Sequence, residues 1–233
     1  MASPIFSVVI VTAAPPGMAS EAGGAFVKLD GREALLRSVE LFLNRENIKQ
    51  VQLVVEQDVM EEAKRKYGGH LGFSGVKLIT GGPRFADQLA AAAEKISPEA
   101  THVIVHDAAR PCVPYSDIDA LMETSEQHSA VALASVIRSP LVEVDEGGNA
   151  LAYHRPEQFM YLLTPQAFAK DKFLEIAKSK QEPHASQITL LKASPLNVRI
   201  GGGGDEKLAR AMLQMLPKPK MKPPSSPFEE AQW

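Results

Sequence analysis

The feature that most constrains this chain is a repeated alternation. Short apolar runs of strand length are followed, time after time, by longer segments with helical periodicity. Phe6–Val11 reads as a strand, Glu33–Asn47 as a helix with Leu36, Val39 and Leu43 on one face, and Val51–Glu56 as a second strand. Val59–Tyr67 (helix), Val76–Thr80 (strand), the alanine-rich Ala86–Ile96 (helix), Thr101–His106 (strand), Ser116–His128 (helix) and Ala130–Val136 (strand) continue the pattern. Alternation of this kind predicts the α/β class. The expectation is a parallel sheet with helices on both faces, a three-layer α/β/α Rossmann-like sheet.

The pattern breaks after Arg138. Leu141-Val142-Glu143-Val144, the turn Asp145-Glu146-Gly147-Gly148-Asn149 and Ala150-Leu151-Ala152-Tyr153 read as a β-hairpin. An isolated hairpin is marginal in water, so residues 138–156 are expected to be an arm that packs on a second copy of the chain, making a homodimer. Lys170–Lys180 then reads as a helix, Leu196–Ile200 as a last strand and Asp205–Leu216 as a last helix. The run Gly201 to Gly204 before that helix is either a connector or a phosphate-binding loop; it lacks the Lys-Ser/Thr pair of a P-loop. Residues 1–216 are thus expected to form one α/β domain. From Pro217 onward the chain is rich in proline and lysine and cannot build a core; Phe228 and Trp233 are the candidate anchors of this tail onto the body or a partner chain.

Charge narrows the function. With 25 basic against 28 acidic residues and a net charge of −3, the chain carries no signature of a nucleic-acid-binding surface. No apolar run approaches the roughly 18 residues of a membrane span, and no leader is visible, so a cytoplasmic protein without membrane partners is expected. The single cysteine, Cys112, excludes an internal disulfide and a cysteine-based metal cluster, and reads as a packing residue.

The strand Val103-Ile104-Val105 ends abruptly in His106-Asp107-Ala108-Ala109-Arg110-Pro111. Open α/β sheets bind ligands outside the carboxyl ends of their strands. Asp107 there is a candidate hard-oxygen ligand for Mg2+, and Arg110 a candidate bidentate phosphate donor. The alternative is a structural ion pair at the strand end. The first strand runs instead into Thr12-Ala13-Ala14-Pro15-Pro16-Gly17-Met18, where two prolines remove N–H donors that a phosphate loop would use. His102 and His106 share one strand face and read as core or supporting residues; Arg84 and Arg155 read as solvated surface cations.

These strings carry a resemblance. Val105-His106-Asp107-Ala108-Ala109-Arg110-Pro111, followed by Thr164-Pro165-Gln166, resembles the 2-C-methyl-D-erythritol 4-phosphate cytidylyltransferases, nucleotidyltransferases of isoprenoid precursor synthesis with a glycosyltransferase-A-like fold. The likeness runs from about Val8 to Leu213 and takes in Ala13-Ala14, Gly31, Leu35, Gly81-Gly82, the hairpin arm and Asn197-Val198-Arg199-Ile200. It implies transfer of a cytidylyl group from cytidine triphosphate to a sugar-alcohol phosphate, with magnesium and release of pyrophosphate. It places Asp107 on the metal-binding aspartate, and Arg110 and Thr164 in the acceptor-phosphate pocket. Ala13 and Ala14 fall on backbone contacts to the nucleotide, and Arg199 on a lysine near the end of the family sequence.

The departures concern the triphosphate. Where the family loop reads A-A-G-x-G-x-R-M-G and then P-K-Q, this chain has Pro15 for the first glycine, Ala19 for the arginine, and Gly23-Gly24 for the Pro-Lys pair. Lys28 lies four residues late. Gln88 stands at the base-binding serine of G-G-x-x-R-x-x-S, Arg138-Ser139 at an Asp-Thr pair, and Ser186-Gln187-Ile188-Thr189 at an acidic triplet. Because such cations can contribute several kcal/mol to transfer, impaired or altered catalysis is expected. The alternative is an inactive homologue that binds a nucleotide or sugar phosphate, or acts as a dimeric interaction protein. Survival of Asp107, Arg110 and Thr164 predicts that phosphate or a sugar phosphate binds better than cytidine triphosphate.

Overall fold

In the computed structural model of the protein, residues 3–18, 23–201 and 204–217 are described. Ala19, Gly202, Gly203 and the tail with Phe228 and Trp233 lie outside them.

Among the described residues eleven strands and six helices follow one another as β1 (Phe6–Val11), β2 (Lys28–Leu29), β3 (Arg32–Glu33), α1 (Ala34–Glu40), β4 (Ile48–Glu56), α2 (Gln57–Phe73), β5 (Lys77–Gly81), α3 (Phe85–Ala93), β6 (His102–Asp107), α4 (Tyr115–Ser125), β7 (Ala130–Val136), β8 (Leu141–Val144), β9 (Ala150–His154), β10 (Met160–Ala169), α5 (Lys170–Ser179), β11 (Thr189–Lys192) and α6 (Asp205–Met215). Seven strands form the central sheet in the order β11-β7-β10-β6-β1-β4-β5. Strand alternation divides its side chains between two layers. Val8, Ile10, Leu53, Val55 and Ile104 pack with Leu35, Val39, Met60, Ile118 and Leu121 of α1, α2 and α4. Their neighbours Val9, Val11, Val54, Val103 and Val105 pack with Leu89, Phe173 and Ile176 of α3 and α5. This is the three-layer α/β/α arrangement the alternation predicts.

Three local expectations are corrected. The sheet is mixed, because β10 runs antiparallel to both β6 and β7. No alternation announces β10, and Pro165 interrupts it, which is the usual argument against a central strand; the register breaks between Leu163 and Gln166 to accommodate that residue. The segment Leu196–Ile200 is irregular chain, and the edge strand is β11, paired in parallel with β7. Helix α1 ends at Glu40 and gives way to turns, with Asn44 in the left-handed conformation at φ 59° that asparagine tolerates better than most side chains. The hairpin β8–β9 forms as expected, as a separate two-stranded sheet. Among the described residues no helix is long and apolar enough to cross a membrane.

Candidate functional site

Strands β1 and β6 lie side by side in parallel, with Val11 opposite Asp107, so their carboxyl ends open onto the same edge of the sheet. The Ala108 N–H donates to Val11 O at 2.9 Å, and the Ser38 hydroxyl donates to Ala108 O at 2.9 Å, tying α1 to the strand end. Two cavities flank this edge.

At the end of β6 the residues named from sequence come together, but they bond to one another. Asp107 is fully buried, and both carboxylate oxygens are engaged: Oδ1 accepts the Ala109 N–H at 2.9 Å, and Oδ2 accepts Arg199 Nε at 2.7 Å. The Arg199 side chain is only 5% exposed, so this ion pair is almost wholly withdrawn from water. The Asp107 N–H donates to Thr164 Oγ1 at 3.1 Å. Asn197 Nδ2 donates to Thr164 O at 2.8 Å, while Arg110 Nη1 donates to Asn197 O at 3.1 Å. A buried pair of this kind must offset a large desolvation cost, which is why its members are so fully hydrogen-bonded. The candidate phosphate donor Arg110 therefore has its guanidinium anchored on Asn197, a residue that sequence reasoning quoted without giving it a role.

Magnesium fails the test of fit at Asp107. A divalent cation needs a carboxylate lone pair and room for water, whereas this carboxylate has zero exposure and a guanidinium on its outer oxygen. Among the described residues no group of three or more His, Cys, Asp or Glu side chains could hold a metal ion. The sequence alternative of a structural ion pair is realised, with Arg199 rather than Arg110 as the partner.

Burial explains the neighbouring groups. His106 packs edge-on against Phe42 at 5.2 Å, and its Nε2 lies 3.1 Å from Arg110 O. Desolvation drives its pKa down to about 3, so it stays neutral. Cys112 is also buried, its thiol pushed up to about 12 by desolvation, as befits a packing residue. Both read correctly as core.

Beside Arg110 lies a cavity of about 510 Å³ whose polar lining among the described residues includes Arg110, Arg138, Ser139, Lys192, Ser194 and Asn197. Arg138 and Lys192 were not recognised as site residues; only their placement, two residues past the end of β7 and at the end of β11, reveals them. A second cavity, of about 520 Å³, lies over the end of β1 and is lined by Ala13, Ala14, Pro15, Pro16, Gly17, Phe26, Pro83 and Phe85 among others. The first loop joins the two, giving Gly17 to one and Met18 to the other.

That loop is closed on itself. Met18 N–H donates to Pro15 O at 3.1 Å, and Gly17 sits at φ 79°, so Pro16-Gly17 forms the centre of a tight turn. The position of the expected lysine, Gly24, is buried against the segment 197–200. A Cβ there would come within 1.7 Å of Ile200 O, so no side chain fits without moving backbone. Lys28 does not compensate. It is 67% exposed, pairs weakly with Glu33 at 3.9 Å, and lines a separate hollow of about 210 Å³. Ala13 and Ala14 do line the cavity at β1, although the Ala13 N–H is already bonded to the Gln88 side chain at 3.1 Å. Arg84, 73% exposed, pairs with Asp87 at 2.7 Å at the rim.

Comparison with known proteins bears on the family and the fold. Residues 7–209 match the model of the family IspD: 2-C-methyl-D-erythritol 4-phosphate cytidylyltransferase. The 2-C-methyl-D-erythritol 4-phosphate cytidylyltransferase of Lachnospira eligens is 26% identical over 213 residues, covering 84% of this chain and 93% of that one. That of Shewanella loihica is 31% identical over 169 residues, covering 69% and 67%. Among solved structures, 4-diphosphocytidyl-2C-methyl-D-erythritol synthase from Anaerococcus prevotii superposes with a TM-score of 0.74 at 17% identity, over 91% of this chain and 96% of that one. The 2-C-methyl-D-erythritol 4-phosphate cytidylyltransferase of Thermus thermophilus gives 0.69 at 20% identity, over 88% and 98%. At such identities the structural likeness speaks for the fold.

Proposed function

Because the chain belongs to the 2-C-methyl-D-erythritol 4-phosphate cytidylyltransferase family, we propose that it is a cytidylyltransferase-like protein that retains a site for a small phosphorylated ligand and is impaired or altered in cytidylyl transfer. The observation that carries this reading is the buried Asp107–Arg199 pair. Transfer from a triphosphate requires positive charge aimed at the oxygens that become pyrophosphate. Here Arg199 is directed onto Asp107, and Gly24 has no room for a lysine. The cavity at Arg110 points to the retained half. Arg110, Arg138 and Lys192 all line it, a surrounding suited to the phosphate of a sugar alcohol.

Homodimerisation through the arm is part of the same proposal. Val144, Leu151 and Tyr153 of the hairpin and Tyr161 and Leu162 of β10 are exposed, Tyr153 by 85%. Large apolar side chains exposed in this number favour an association surface. Pyrophosphate release from cytidine triphosphate and methylerythritol phosphate, with magnesium, tests the catalytic half of the proposal. Turnover at least about a hundredfold below that of an ordinary enzyme is expected, the cost of one lost charge-stabilising group or more; turnover of about 1–1,000 per second would overturn it. Calorimetry tests the binding half, with the sugar phosphate expected to bind more tightly than the triphosphate and Arg110→Ala to lose that binding.

A further inference from the structure

The cavity beside Arg110 has cations on two sides. Arg110 follows β6 and is held on that side, because its Nη1 donates to Asn197 O at 3.1 Å and lies 3.4 Å from Asn197 Oδ1. Asn197 is in turn tied to β10 through Thr164 O, at 2.8 Å. Lys192 closes β11, where it pairs with Ala134 of β7, and Arg138 lies two residues beyond the end of β7. The sheet order β11-β7-β10-β6 sets β10 between these two strands and β6. Adjacent strands stand about 4.8 Å apart, so β7 and β11 run roughly 10 and 14 Å from β6. A phosphate clasped by Arg110 makes contacts of about 2.8 Å and so occupies one side of the cavity.

The other side is built for charge as well. Arg138 and Lys192 are exposed, and among the described residues neither has a carboxylate partner. The cavity over β1 differs, for Arg84 and Lys180 at its rim both bond to Asp87, at 2.7 Å each. Residue 138 is also an arginine where the family pattern has an aspartate, so this wall has reversed its charge at that position. Two cations on one wall raise the local concentration of anions, and the Ser139 hydroxyl beside Arg138 adds a donor. We propose that the cavity takes a small ligand with two anionic groups, its phosphate at Arg110 and a second phosphate or a carboxylate at Arg138 and Lys192. These two residues then set specificity away from a sugar alcohol that carries one phosphate. The inference rests on the reading of this cavity as a phosphate site.

The test is calorimetry at fixed ionic strength with three probes that share one carbon chain. They are an erythritol monophosphate, the corresponding bisphosphate, and phosphoerythronate, in which a carboxylate replaces the far hydroxymethyl group. The full chain should bind the better of the two dianionic-ended probes about tenfold more tightly than the monophosphate, the scale of one charge-assisted contact. Whichever of the two binds more tightly identifies the second group. Arg138→Gln with Lys192→Gln, both at exposed positions, should abolish that preference and leave monophosphate affinity within about threefold of the original. Arg138→Asp should weaken both two-anion probes more than the monophosphate. Equal affinity of the full chain for all three probes would overturn the inference while leaving the phosphate site intact. So would a preference that survives the double substitution, since the second anion would then be held elsewhere. Failure of every probe to bind would remove the phosphate site itself, and the inference with it.

Discussion

The ends of β1 and β6 lie next to each other in one sheet and have diverged from the family pattern in opposite ways. At β1 the residues themselves differ: Pro15 and Pro16 close the loop into a turn, Gly24 leaves no space for a cation, and Gln88 accepts from the Thr12 and Ala13 N–H groups. At β6 the motif persists from His106 to Pro111, yet its acid faces Arg199 and lies out of reach of solvent. A kept residue is therefore no guarantee of a kept contact. Arg199 presents a planar fork of donors, and its Nε–H occupies Asp107 Oδ2.

The two ends should respond differently to mutation. The largest effect belongs to β6. Arg199→Leu leaves Asp107 buried and unpaired, and should cost about 3–5 kcal/mol in denaturant unfolding, whereas Asp107→Asn with Arg199→Leu should recover most of it. A cost below about 1 kcal/mol would mean that the pair is solvated and that the two strand ends do not differ as described.

Next comes Gly24→Lys, the substitution that restores the family residue at the β1 side. Overpacking against Ile200 O should cost on the order of 1–3 kcal/mol, with no gain in pyrophosphate release. Recovery of turnover with unchanged stability would show the loop to be a simple point loss.

A smaller effect is expected from pH. His106 titrates near 3 when folded and at 6.5 as its ordinary value, so the unfolded chain takes up the proton first. Its contribution is thus constant above about pH 6.5 and erodes as pH falls toward 3, by about 1.4 kcal/mol per pH unit through that window. His106→Phe should flatten the slope of unfolding free energy between pH 6.5 and 4.5 by about one proton's worth. An unchanged slope would show that His106 is reached by water. Smallest is Arg84→Ala at the exposed rim, for which the melting temperature should not move measurably.

Much of this architecture was legible in the chain. Short, mostly apolar runs mark β1, the second half of β4 and the middle of β6, which are buried on both faces, and the hairpin announces itself through its Gly-Gly-Asn turn. Strand β10 was not legible, because Pro165 and a run without alternation hide a strand whose existence depends on neighbours on both sides. The site divides in the same way. The position of Asp107 and Arg110 at a strand end follows from local sequence, but the partner of Asp107 lies 92 residues away. Likewise Gln88 reads as the loss of a serine until the 76-residue separation to Thr12 is closed by folding. Local pattern fixes where a residue sits; only the packed chain decides whom it bonds.

The closure of Asp107 by Arg199 is most directly tested by nuclear magnetic resonance of the arginine Nε–H groups, with the Arg199 signal assigned by its loss in Arg199→Lys. A guanidinium held at 2.7 Å on a buried carboxylate should give a resonance that exchanges slowly with solvent and does not move as magnesium is titrated to millimolar concentration. A signal that exchanges rapidly, or that shifts and saturates with magnesium, would contradict the account, because it would mean that the acid at the end of β6 is open to the ion after all.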